Sequence, residues 1–141
     1  MRQWTSDGFD RLRESRFTLI TLTLVIGAIL VAIGVVTYIA TAAVSVTALI
    51  PAFVGIALVA AGLIARKPAA HRHAIHAALG VALLGALGSL MNVVKLGDLI
   101  AGTAERPGAI IESTLMFVLL VTYVGLGVRS FVQARKNPTA A

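Results

Sequence analysis

Two groups of side chains in this sequence are of types that do chemistry. The first is the run HRHAIH, in which His71, His73 and His76 fall within six residues. Imidazoles titrate near neutral pH and bind divalent cations, so the run is readable as a metal site or a pH sensor. It has no nearby carboxylate. A haem is not expected, because axial imidazoles must face each other from different helices. The run reads first as a polar, partly cationic loop at the lipid headgroups, with a metal held by the three histidines as the alternative.

The second group is Asn92, Lys95 and Glu112. Asn92 and Lys95 close one apolar run, and Glu112 sits about one turn inside the next. At 100° per residue, Gly85, Gly88, Ser89, Asn92 and Lys95 fall on one arc of about 120° of a helix. An ionisable group at membrane depth costs about 2.5 to 3.5 kcal/mol on insertion scales, so it calls for a partner or a function. The expectation is a Lys95–Glu112 ion pair joined by Asn92, either structural or part of a ligand site.

What must hold these residues is a bilayer. The composition is 58% hydrophobic and only 13% charged, with a mean hydropathy of +0.94, far from the average soluble domain. Crossing the hydrocarbon core takes about 20 apolar residues. Four such runs are present, and they predict helices over about 17–43, 47–65, 74–95 and 109–128. Residues 1–16 form a cytoplasmic or interfacial segment, within which 6–16 can make a short helix carrying Phe9 beside Arg11, Arg13 and Arg16, and 129–141 form a cytoplasmic tail. The expectation is one all-α membrane domain over residues 1–141, an antiparallel up-down four-helix bundle.

Its threading follows from the basic residues. Ten of the twelve lie in three places: Arg2, Arg11, Arg13 and Arg16; Arg66, Lys67 and Arg72; and Arg129, Arg135 and Lys136. Only Lys95 and Arg106 fall elsewhere. Basic residues flank cytoplasmic ends, which puts both termini and the histidine loop inside. The same distribution accounts for the net charge of +6 and excludes a nucleic-acid partner, which would need one continuous basic surface. Tyr38 and Tyr123 are expected near the outer and inner interfaces, and Thr47 as the N-cap of the second helix.

Helices in lipid associate by close packing. The third run offers two rows of small residues, so Ala78, Ala82, Gly85, Ala86 and Ser89 are expected to pack helices together. Gly27 and Gly34, with Gly55 and Gly62, can mark matching grooves, although the second run otherwise reads as the one that faces lipid. There are no cysteines, no serine, histidine and aspartate in hydrolase spacing, and no phosphate-cradling glycine loop. Neither an enzyme nor a cofactor is expected. The segments SVTALIPAFVG (45–55), HRHAIHAALG (71–80) and VRSFVQARK (128–136) resemble a family of small bacterial four-span integral membrane proteins. That resemblance implies the bacterial inner membrane and brings no activity or site residue with it. The expected function is therefore non-enzymatic helix association, as a homo-oligomer or as an accessory subunit to a membrane partner. A small transporter or channel using Asn92, Lys95 and Glu112 is the alternative, and a histidine-based metal or pH sensor the third reading.

Overall fold

The computed structural model describes residues 2–42 and 46–136, which are helical apart from short connections and contain no strand. The elements are α1 (Arg2–Ala40), a 3-10 turn (Val46–Leu49), α2 (Ile50–Ile64), α3 (His71–Val93), α4 (Leu96–Ile100) and α5 (Pro107–Lys136). Four helical segments are long and apolar enough to cross a membrane: Ser6–Ala40, Val46–Ile64, His71–Val93 and Pro107–Gln133.

The boundaries differ from the sequence reading in instructive ways. Residues 6–16 are not a separate interfacial helix, because α1 runs unbroken for 39 residues, about 58 Å at 1.5 Å per residue. Gly8 does not interrupt it. That length exceeds a hydrocarbon core of about 30 Å, so the charged N-terminal turns project beyond it. At the other end α1 stops at Ala40, and Ala42 takes a left-handed backbone (φ 53°), which ends a helix for any residue. Thr47 is not the N-cap of α2: it lies in the 3-10 turn, and Leu49 caps the helix with Pro51 in the first turn, where a missing N–H costs nothing. The third connection contains α4, which was not anticipated. Much of the expected C-terminal tail is helical, with Arg135 and Lys136 in the last turn of α5, where cations suit the helix dipole. Residues 137–141 of that tail lie outside the described residues.

α1 packs most extensively on α2 and α3 on α5, while α2 against α3 and α1 against α5 close the ring. The closest approach is between α1 and α2. A Cβ on Gly34 would lie 2.6 Å from the Ala52 backbone nitrogen, one on Gly55 2.5 Å from the Gly27 carbonyl oxygen, and one on Gly27 2.9 Å from the Gly55 oxygen. Only a residue without a side chain lets two backbones come this near. The second helix is thus not simply the lipid-facing one: Pro51, Ala52, Gly55, Leu58 and Gly62 are buried, while Phe53, Ile56 and Leu63 are exposed. In α3 the row Ala74, Ala78, Ala82 and Ala86 is buried. Ala78, Ala82 and Ala86 join Ile26, Leu30, Leu58, Met116, Leu120 and Tyr123 in one core cluster.

Candidate functional site

The core cluster does not run the length of the bundle. Beyond Met116 the helices frame a cleft of about 1250 Å³ at the end that carries the 3-10 turn and α4. Thr37, Thr41, Thr47 and Pro51 line one side, and Gly88, Ser89, Asn92, Glu112 and Ser113 the other. Val54, Gly85 and Met116 form the floor, since Met116 belongs to the core cluster and Val54 packs against it. All five residues of the α3 arc, from Gly85 to Lys95, contribute to its lining.

Glu112 is the unusual member. Its residue is 7% exposed, and its Oε1 is buried with no hydrogen-bond partner. It sits in the second turn of α5, where proximity to a helix N-terminus favours negative charge. The anticipated Lys95–Glu112 ion pair does not form. The chain turns after Val93 so that Lys95 becomes the N-cap of α4, which leaves it exposed at the mouth of the cleft with Asp98, Glu105 and Arg106. Asn92 does not join the two either: its Nδ2 donates to Ser113 Oγ at 3.0 Å, tying α3 to α5. Ser89 Oγ donates to the Ala86 carbonyl at 2.8 Å. The cleft therefore holds Asn92, Lys95 and Glu112 together as lining residues, but not as one bonded network.

Ser113, Thr37 and Thr41 were not singled out from the sequence, and Thr47 only as a helix cap. Ser113 directly follows Glu112, which puts it about 100° away around the helix axis. That spacing suits a neighbour tied to a different helix, but it names no partner.

Toward the histidine loop, buried hydroxyls are paired. Tyr123 and Thr23 are fully buried, and their oxygens lie 2.8 Å apart. Thr23 Oγ1 donates its one proton to the Leu19 carbonyl at 2.7 Å, so the Tyr123 hydroxyl is the donor between α5 and α1. Tyr123 is thus a core residue and not the interfacial ring that its place in the sequence suggested. An amphipathic side chain fits either setting, and only the nearby threonine decides.

The three histidines do not converge. His71 Nδ1 donates to the Ala65 carbonyl at 3.0 Å, and His76 Nδ1 donates to the Arg72 carbonyl at 2.8 Å while its ring tilts against Phe131 at 5.0 Å. His73 is exposed. Two residues along a helix is a rotation of about 200°, which turns His71 and His73 to opposite sides. Among the described residues no three His, Asp or Glu side chains gather where they could hold a metal ion. His71 instead borders a smaller recess of about 590 Å³, with Arg13, Arg16, Arg66 and Phe17.

No known protein family, curated protein or solved structure matches the chain.

Proposed function

We propose that this is a small membrane-embedded binding protein, of the kind that serves transport, which admits a small molecule to the cleft from the non-cytoplasmic side. The observation that carries the reading is Glu112, a buried residue whose Oε1 has no hydrogen-bond partner, in the wall of a cleft large enough for a drug-sized ligand. Binding sites are typically concave, mostly apolar, and fitted with a few polar groups that fix orientation. Here Glu112, Asn92 and Ser89 stand above an apolar floor, with threonines facing them and charged residues at the mouth. The packed core cluster beneath the floor makes the cleft a blind pocket, so any passage across the bilayer requires the helices to rearrange.

The topology belongs to this proposal. Up-down threading with both termini and His71 to His76 in the cytoplasm is supported by the ten-to-two distribution of basic residues. It is also supported by the α1–α2 register, where Gly27 meets Val59, Gly34 meets Ala52 and Gly62 meets Leu24. The bacterial inner membrane rests on the resemblance alone. Association with a second copy or a membrane partner, the reading favoured from sequence, is the alternative. The alanine row of α3, read from sequence as packing helices together, is buried inside the chain.

A matched pair of glycines tests the function. Gly80 and Gly88 both lie on α3 with open space around a Cβ, but only Gly88 lines the cleft. Naphthylethylammonium, naphthylethanol and naphthylacetate titrated onto the detergent-solubilised protein should include at least one binder. Its affinity should fall at least about ten-fold in Gly88→Trp, where the indole occupies the site, and hold in Gly80→Trp. Binding indifferent to Gly88→Trp, or no binding by any of the three, would end this reading.

A further inference from the structure

We infer that the cleft takes lipophilic ammonium ions and that each one bound displaces the proton of Glu112. The inference rests on the binding-cleft reading above and adds the ligand's charge and the fate of one proton. A carboxylate shut away from water is stable only if a cation or several donors face it. At Glu112 Oε1 there is neither: that oxygen is buried without a hydrogen-bond partner, and Lys95 stands exposed at the mouth. The other ionisable groups lining the cleft, Asp98, Glu105 and Arg106, belong to α4 and the loop beyond it. α1, the 3-10 turn and α2 contribute threonines and apolar side chains but no titratable group. With its proton in place, the Glu112 carboxyl leaves the empty site without net charge.

Exchange follows from charge balance. An ammonium entering the cleft meets the carboxyl, the O–H bond of Glu112 breaks, and the proton leaves to water at the mouth. The carboxylate then accepts a hydrogen bond from the ammonium N–H. The site carries no net charge before or after, which spares the low-dielectric interior a bare ion in either state. A neutral ligand gives the carboxyl no reason to ionise, and an anion would add an unpaired charge. Rotation about the terminal bond of the Glu112 side chain, a broad two-fold torsion, can present either oxygen. The apolar floor, formed by Val54, Gly85 and Met116, accommodates the aromatic or aliphatic body of the ligand.

The same three probes test this, with protons counted by calorimetry in buffers of different ionisation enthalpy. Naphthylethylammonium should bind more tightly than naphthylethanol and naphthylacetate. It should release close to one proton per molecule at pH values where the carboxyl is protonated. Its affinity should rise about ten-fold per pH unit through that range, because fewer protons compete. Glu112→Gln, a neutral isostere of the protonated acid, should keep its melting temperature, lose the proton release, and bind the ammonium at least about ten-fold more weakly. Should that variant fail to fold, Glu112→Asp must retain the release. Ammonium binding without proton release, or with release unchanged in Glu112→Gln, would overturn the exchange. If naphthylethanol or naphthylacetate still bound in a Gly88→Trp-sensitive manner, the cleft reading would survive that failure, whereas binding by none of the three removes both.

Discussion

The two ends of the bundle are built by the same helices and use buried polar atoms in opposite ways. Toward the histidine loop, Tyr123 and Thr23 are both inaccessible, and both hydroxyl protons are used: one bridges α5 to α1, and the other returns to the Leu19 carbonyl. Toward α4, Glu112 is almost as deeply buried, yet its Oε1 has no partner, beside a cleft lined by threonines, glycines and Asn92. A buried polar pair that is fully satisfied fixes helices to each other. One left unsatisfied lowers stability until something arrives to satisfy it. The contrast separates a half whose buried hydroxyls are paired from one where the Glu112 Oε1 is not.

The largest effect should come from the glycine seam that holds α1 to α2. Gly34→Leu or Gly55→Leu forces a side chain into backbone atoms under 3 Å away and should cost about 3 kcal/mol or abolish folding. Gly88→Leu, which meets open space, should be nearly neutral in the same detergent melting assay. Equal losses would show that the cleft is as tightly packed as the seam.

Tyr123→Phe should cost about 1 kcal/mol, within the range seen for hydrogen bonds between membrane helices. Combined with Thr23→Val, it should cost less than the sum of the two singles, because both remove one bond. Additive losses, read from melting of all three variants, would mean the hydroxyls are not coupled and the closed half is held by packing alone. Asn92→Ala should cost less, about 0.6 kcal/mol, since the bond to Ser113 is only partly buried. A loss as large as that of Tyr123→Phe would make the open half as dependent on polar ties as the closed one. The smallest stability change is expected for Glu112→Gln, within about 0.5 kcal/mol, because the carboxyl has no bond at Oε1 to lose. A large loss there would reveal a structural partner for Glu112 and erase the distinction between the halves.

Composition and the lengths of the apolar runs were enough to determine four helices of membrane-crossing length, because the energy of transfer into lipid is set residue by residue. The arc from Gly85 to Lys95 was legible too, since helical rotation places residues without reference to any neighbour. Helix ends were less so. That α1 continues through the charged leader, and that α4 interrupts the third connection, depends on local turns where hydropathy says little.

Pairings between helices were decided only by the tertiary structure. Lys95 and Glu112 matched in charge and depth, but α4 redirects the backbone at Lys95, and no property of either residue announces that turn. The histidines clustered in sequence and diverged in space because helix geometry separates positions two apart. Tyr123 found Thr23 a hundred residues away in the chain. The cleft is lined jointly by residues of the α1 end, the 3-10 turn, α2, α3 and α5, so no single run of sequence announces it. Packing is a property of surfaces that meet, and a single sequence records each surface without its partner.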